Sequence, residues 1–287
     1  MDSDEVEQEV KRYLSLFDEI VFKETLEQLM TLLELWKRVH SRIHKDEEST
    51  LHVVGTFNAI KAATMREEFL AHYDLPGSAA IFDSVDNLFS RLTSTNKSLE
   101  WGMAFREIMT RTEMFENMRA TRRKLMELSK AMQITSSGEV RYYLGCFMFL
   151  LAMEGMYDEV VRCIYAHEQI IQGKTVITNE LWHKRIEIIK KSIRTAPEAI
   201  FSVWDRGHRV RNAIAHANFH YSDDDKKMRF VDVNPYNPAD IYTTSMAIDE
   251  LQELHKRVVV IEIAFRNLFL LLMIYTALMS RAGKVLE

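Results

Sequence analysis

Apolar residues recur at the spacing of an amphipathic helix over most of this chain. The pattern predicts one or two helices from Glu5 to about His44, and further helices that end near residues 73, 92, 132, 171, 194 and 216. A last helix is predicted from about Met246 to Leu278. Polar segments, or segments with Pro and Gly, separate these stretches. The sequence therefore predicts an all-α protein.

One segment before the last helix has a different pattern. Between Phe219 and Val233 the apolar residues alternate loosely on either side of the polar run Ser222-Asp223-Asp224-Asp225, which predicts a short β-hairpin or a structured loop. The following residues, Asn234-Pro235-Tyr236-Asn237-Pro238, are irregular by their chemistry. Thr243-Thr244-Ser245 is expected to supply caps for the last helix.

The best domain boundary lies at Thr135-Ser136-Ser137-Gly138, which separates a charged helix from a strongly apolar one. It predicts an N-terminal helical region, residues 1–135, with no assigned role, and a C-terminal domain, residues 136–287. The formal net charge is -5, and residues 1–50 account for -6 of it with 7 Lys and Arg against 13 Asp and Glu. Residues 51–287 are therefore close to neutral. Their sum does not exclude a polyanionic partner, because a local basic face matters more than the net charge.

Composition excludes several classes of protein. Only 4 Pro and 9 Gly occur in 287 residues, too few for sandwiches or propellers. Cys146 and Cys163 form no CxxC pair, which excludes a zinc ribbon, a thioredoxin-like motif and a disulfide framework. The N-terminus does not resemble a secretory signal, so a cytoplasmic location is expected. Leu268 to Met279 is too short an uncharged stretch to cross a bilayer, which needs about 20 residues.

The candidate chemistry lies between Arg206 and Phe219. On a helix, His208, Asn212 and His216 share one face because they are four residues apart, and Arg211 is adjacent. A histidine can take a proton from a ribose 2′-OH or give one to a leaving oxygen. An arginine can hold phosphate oxygens and stabilise the charge that develops on them. These residue types fit phosphodiester cleavage without a metal or other cofactor.

The run Arg211-Asn212-Ala213-Ile214-Ala215-His216 resembles the R-x(4–6)-H motif of the HEPN superfamily, and the resemblance covers about residues 138–280. It implies a helical bundle that forms a homodimer with two facing motifs. It also implies a metal-independent endoribonuclease that leaves 2′,3′-cyclic phosphate ends, often a toxin or anti-phage effector with an inhibitory or activating partner. Arg211 and His216 would be the catalytic pair and Asn212 their polar companion. Asn218 stands where some members carry a tyrosine, which argues against a nucleotide-transferring antitoxin.

The loose Arg-to-His spacing occurs five times in the chain, whereas Arg-Asn-x-x-x-His occurs once. A purely structural interpretation of Arg211 and His216 is a salt-linked helix end, because a histidine in the last turn stabilises the helix dipole. A zinc site through His216 and His220 is a further alternative, with Asp223, Asp224 and Asp225 nearby. This site requires the helix to continue through Phe219. Asn218 and the alternating residues after it predict that the helix has already ended, so no metal is expected.

Basic residues near the motif are predicted to contact RNA phosphates, which set affinity without reading sequence. These predicted contacts are Lys184, Arg185, Lys190, Lys191, His208 and Arg209. The alternative function is a non-catalytic helical RNA-binding protein or a dimeric scaffold. In that case the same residues only hold the dimer or bind phosphate.

Overall fold

The computed structural model describes residues 64–94, 104–105, 108, 114–176, 181, 184–193, 197–234 and 236–286. The helices predicted between Glu5 and His44 lie outside these ranges. The described helices are α1 (Arg66–His72), α2 (Ser78–Ser94), α3 (Met114–Ile134), α4 (Gly138–Ala152), α5 (Asp158–Ile171), α6 (Ile186–Ser192), α7 (Glu198–Ala215) and α8 (Ile248–Leu286), with a π-helical turn at Met153–Tyr157 between α4 and α5. The predicted mostly helical character is confirmed.

A small antiparallel sheet precedes α8. It consists of β1 (Phe219–Ser222), β2 (Lys227–Val233) and β3 (Ile241–Met246), in the order β1-β2-β3. The predicted hairpin is confirmed as β1 and β2, which pair Phe219 with Phe230 and Ser222 with Lys227. Met228 and Phe230 on the central strand are completely buried.

The third strand corrects the prediction for Thr243-Thr244-Ser245. These residues pair with β2 rather than capping α8, since Thr243 lies opposite Val231 and Thr244 opposite Phe230. Threonine is β-branched and favours the extended backbone of a strand. The cap of α8 comes from Glu250, whose carboxylate accepts the backbone N–H of Ala247 at 2.8 Å.

The described chain divides into two compact units. The first contains α1, α2 and residues 264–286 of α8, and its core includes aromatic pairs such as Phe69 with Phe82 (5.1 Å between ring centroids) and Phe105 with Phe269 (5.3 Å). The second contains α3, α4, residues 158–168 of α5, α6, α7, the sheet and residues 248–263 of α8. The predicted boundary near residue 136 falls inside the second unit, because α3 packs directly against α4.

Two glycines let the helices of the second unit approach closely. A Cβ atom on Gly155, in the π-helical turn, would lie 2.3 Å from Thr121 Oγ1 on α3. A Cβ atom on Gly207 would lie 2.8 Å from Phe149 Cζ, so α7 and α4 are in contact there. Glu262, completely buried on α8, forms an ion pair with Arg122 of α3. These contacts position α7 and the π-helical turn, which carry the candidate site.

Among the helices described, none combines the length and the apolar character needed to cross a bilayer. Cys146 and Cys163 are both buried and form no disulfide, as their sequence context predicted.

The close packing at Gly155 predicts that Gly155→Ala destabilises the protein. The added methyl group would overlap Thr121, so we expect the free energy of unfolding to fall by about 1 to 2 kcal/mol in urea denaturation. Gly138→Ala is the matched control, because its Cβ would meet nothing closer than Tyr221 Oη at 4.0 Å. An equal loss in both variants would show that the contact with Thr121 is not the cause.

Candidate functional site

The motif helix α7 ends in a defined capping structure. The backbone N–H of Asn218 donates to the carbonyl of Ala213 (2.8 Å), and that of Ala217 donates to Ile214 (3.1 Å), which is the hydrogen-bond pattern of a Schellman motif. Ala217 takes the left-handed conformation that the motif requires, with φ 55°. His216 is the C-cap residue and is exposed. The motif histidine thus lies at the exact point where the chain leaves the helix for β1.

Arg211 lies against the π-helical turn. Its Nη2 forms an ion pair with Glu154 Oε1 at 2.8 Å, and its Nη1 donates to Asn212 Oδ1 at 3.1 Å. Both Arg211 and Glu154 are partly exposed, with side chains 30% and 45% accessible. The guanidinium is therefore held in place by a carboxylate and an amide while one side stays open to solvent.

Asp158, at the start of α5, is a second acidic group near Arg211. Burial raises the pKa of its carboxyl to about 6, and the charges of Arg162 and Arg211 oppose that rise without cancelling it. The negative charges of Glu154 and Glu187 add to the increase in this pKa. Perturbed carboxyl groups of this kind are frequent at functional sites, although ion-pair networks also produce them.

His208 lies one turn before Arg211 on α7. Its Nδ1 is 2.8 Å from the carbonyl oxygen of Trp204, and its ring stacks on the indole with the centroids 5.3 Å apart and the planes 16° apart. Trp204 in turn stacks on Tyr157 at 6.3 Å, and the Tyr157 hydroxyl donates to the carbonyl of Ile200. The imidazole of His208 is thus fixed in orientation and half-buried.

The side chain of Arg211 contacts partners other than His216. Within the described part of the chain, no hydrogen bond joins their side chains, because the guanidinium is directed at Glu154. The backbone N–H of His216 donates instead to the carbonyl of Asn212, the residue after Arg211, at 3.0 Å. A single substrate phosphate would have to bridge the two side chains, or they would act from opposite sides of it.

Most of the predicted RNA-contacting residues are engaged within the protein. Arg209 forms ion pairs with Asp240 (3.0 Å) and Asp232 (3.8 Å), which tie α7 to the sheet region. Lys184 donates to Tyr165 Oη, Arg185 donates to Tyr236 Oη, and Lys190 pairs with Asp205 of α7 at 2.6 Å. Lys191 is exposed and has no partner among the residues described. Of the helix predicted to end near residue 194, the described part is α6, which begins at Ile186, so Lys184 and Arg185 precede it.

Two acidic residues of the site were missed by sequence reasoning. Glu154 and Asp158 precede Arg162 at intervals of four, a spacing that predicts two acidic residues and one basic residue on one helix face and was available as a signal. What that spacing does not reveal is the partner, because Arg211 lies on a different helix.

The helical zinc alternative is not formed. The helix ends at Ala215 and His220 lies in β1, so His216 and His220 are not on one helix face. No group of three or more His, Cys, Asp or Glu side chains in the described chain is arranged to hold a metal ion.

No family model, curated protein or solved structure matches this chain. Its function is therefore inferred from the side chains described above and from the motif resemblance.

The left-handed backbone at Ala217 predicts that Ala217→Gly stabilises the protein. Glycine adopts this conformation without the steric cost that a Cβ carries, so we expect the free energy of unfolding to rise by up to about 1 kcal/mol. Ala215→Gly, two residues earlier and helical, should lower it by about 0.5 to 1 kcal/mol. The measurement is the thermal unfolding of both variants. Shifts of the unfolding temperature in the same direction would contradict the left-handed conformation assigned to Ala217.

The environment of Asp158 predicts a pH-dependent effect of Asp158→Asn. Between about pH 4 and 6 the folded protein holds a proton on Asp158 that the unfolded chain, with a pKa near 3.8, has released. The contribution of Asp158 to the free energy of unfolding therefore falls as the pH rises through that window. The Asn variant has no group that titrates at this position, so its free energy of unfolding does not fall for this reason. We expect the variant to gain about 1 to 3 kcal/mol over wild type between pH 4 and 7.

The measurement is urea denaturation of both proteins across that pH range. Burial lowers the pKa of His255 to about 4, so this residue titrates in the same window with the opposite sign. The difference between variant and wild type removes that common contribution. A difference that stays constant with pH would contradict the raised pKa of Asp158.

Proposed function

We propose that this protein is a metal-independent endoribonuclease of the HEPN type. The observation that carries the proposal is the arrangement at the end of α7. Glu154 of the π-helical turn and Asn212 of α7 hold the guanidinium of Arg211, and His216 is exposed where the helix ends. A fixed cation and an accessible imidazole are the two groups that phosphodiester cleavage without a metal requires.

Arg211 has enough hydrogen-bond donors to bind a phosphate without releasing its neighbours. A guanidinium carries five N–H groups. One contacts Glu154 and one contacts Asn212, so three N–H groups are left for phosphate oxygens. Arginine forks bind phosphate oxygens with paired hydrogen bonds, and they stabilise the negative charge that builds on those oxygens in the transition state.

In the proposed reaction, the ribose 2′-oxygen attacks the adjacent phosphorus and loses its proton to a base. The bond between phosphorus and the 5′-oxygen of the next nucleotide breaks, and that oxygen gains a proton. The products are a 2′,3′-cyclic phosphate and a 5′-hydroxyl, and no electrons are transferred to or from the protein. His216 acts as a general acid/base in this step, Arg211 holds the scissile phosphate and Asn212 orients the guanidinium.

The motif resemblance extends the proposal to the assembly. The second unit would form the HEPN-like bundle, and two copies would associate through α7 so that their motifs face each other. The biological role proposed is that of a cytoplasmic toxin or anti-phage effector, whose activity an inhibitory or activating partner controls. RNA is the substrate, and no cofactor takes part.

A specific observation favours the alternative, a non-catalytic RNA-binding or scaffold protein. Arg209, Lys190 and Arg211 all form ion pairs within the protein. Such pairs are what a helix that only holds the fold together would need. The proposed function and this alternative differ in a single measurable property, the cleavage of RNA.

The proposed function predicts that His216→Ala strongly slows RNA cleavage. Purified wild type and variants are incubated with total RNA and with a tRNA pool in EDTA, and the fragment ends are identified. We expect cyclic-phosphate ends from wild type, and a rate about 10²- to 10⁴-fold lower for His216→Ala. Arg211→Lys should show a comparable loss, because an ammonium group cannot replace the paired contacts.

His220→Ala is the matched control, since His220 is also exposed but lies on β1. It should cleave at the wild-type rate. Equal cleavage by wild type and His216→Ala would contradict the assigned site. No cleavage by wild type, with RNA binding that Arg211→Lys weakens, would favour the scaffold or RNA-binding protein.

A further inference from the structure

The proposed reaction needs two proton transfers at two different oxygens. The 2′-oxygen must lose a proton as it attacks, and the 5′-oxygen must gain one as it leaves. The attacking and leaving oxygens lie on opposite sides of the phosphorus, and a proton-transfer group must be within hydrogen-bond reach of the oxygen it serves. One His216 therefore serves only one of the two oxygens in a given cleavage step, and the second group is either another residue of the same chain or the facing motif of the proposed dimer.

His208 has the geometry of a second proton-transfer group. A carbonyl oxygen only accepts hydrogen bonds, so the contact with Trp204 requires that Nδ1 of His208 carries the proton. In the neutral ring the other nitrogen, Nε2, then has a free lone pair. The structure fixes the tautomer that can accept a proton at Nε2.

The orientation of this ring is also fixed. His208 stacks on Trp204, Trp204 stacks on Tyr157 with planes 6° apart, and the Tyr157 hydroxyl is anchored to Ile200. Stacked rings of this kind hold a side chain in one orientation at little cost. Nε2 has no hydrogen-bond partner among the described residues, and the ring is half-exposed.

Position along the helix places His208 and His216 on either side of Arg211. His208 precedes Arg211 by three residues and His216 follows it by five, which is about 4.5 Å and 7.5 Å along the helix axis. Residues three apart are neighbours on a helix face, so His208 and Arg211 leave α7 on the same side. The charged and ionisable groups around this part of α7 include Glu154, Tyr157 and Arg211, with Arg162 and Glu187 near Asp158, and Asp205 paired with Lys190.

We infer that His208 is the general base of the reaction, with Nε2 accepting the 2′-OH proton, and that His216 is the general acid that protonates the leaving 5′-oxygen. This inference rests on the proposed function, and it adds a division of roles between the two histidines. The predicted role of His208 as a simple phosphate contact is replaced by this one. In the inferred step the proton leaves the 2′-oxygen for Nε2 of His208, and the 5′-oxygen takes a proton from the ring of His216.

The test compares His208→Phe, His208→Gln and His216→Ala in the full chain. Phenylalanine keeps a flat ring for Trp204 but has no ring nitrogen, and glutamine tests a smaller polar group in case phenylalanine disturbs folding. Two substrates are used in EDTA: a dinucleotide, and a ribonucleoside 3′-(4-nitrophenyl phosphate). The nitrophenolate leaves without protonation, so cleavage of the second substrate needs a base but no acid.

We expect both His208 variants to cleave both substrates about 10²- to 10⁴-fold more slowly than wild type, while they still unfold cooperatively and bind RNA with the wild-type affinity. His216→Ala should be slow on the dinucleotide and close to wild type on the nitrophenyl substrate. The dependence of kcat/KM on pH should lose its acid limb in the His208 variants, because that limb reports the protonation of the base. A merely structural role of His208 would not change the pH profile in this way.

Different results overturn different statements. A folded His208 variant that cleaves both substrates within about threefold of wild type, with an unchanged pH profile, contradicts the inference and leaves the proposed function intact. Recovery of the His208 variants on the nitrophenyl substrate would assign His208 to the acid step, and would also contradict it. If wild type cleaves neither substrate nor any RNA, the proposed function falls and the inference falls with it.

Discussion

The close contact between α7 and α4 is the constraint on which the candidate site depends. Gly207 lies against Phe149, with no space for a side chain between them. A larger residue would push α7 away from α4, and α4 leads directly into the π-helical turn that carries Glu154. Since the ion pair of Arg211 and Glu154 spans only 2.8 Å, a displacement of α7 by a few tenths of an ångström would change it.

The π-helical turn is the second determinant of the site. A π-helical turn accommodates an extra residue and shifts the faces of the helices on either side of it, and such turns are frequent at functional sites. Here it buries Met153, Met156 and Tyr157 while it leaves Glu154 exposed for Arg211. Tyr157 at its end also begins the aromatic stack that orients His208. One irregular turn therefore supports both the cation and the second histidine.

Much of the local structure was predictable from the sequence, because helical periodicity and the turn at Ser222-Asp223-Asp224-Asp225 are local signals. The strand β3 was not, since its alternation is between exposed and half-buried positions and its apolar pattern is weak. The charges of Arg209 and Lys190 were predicted to face RNA, yet they pair with Asp240 and Asp205. Such partners are set by tertiary packing, which periodicity along one helix does not contain.

The ion pair with Glu154 has two opposing effects on Arg211. It removes part of the positive charge that would attract a phosphate, and a neighbouring carboxylate disfavours a second anion. It also fixes a long, flexible side chain, so less conformational entropy is lost when a ligand binds. Because the guanidinium keeps three of its five N–H groups for a ligand, the fixed geometry is retained without using up its donors. A lysine at this position would carry the same charge on a single nitrogen with three donors and no planar fork, so it could not hold Glu154, Asn212 and a ligand in the same fixed geometry.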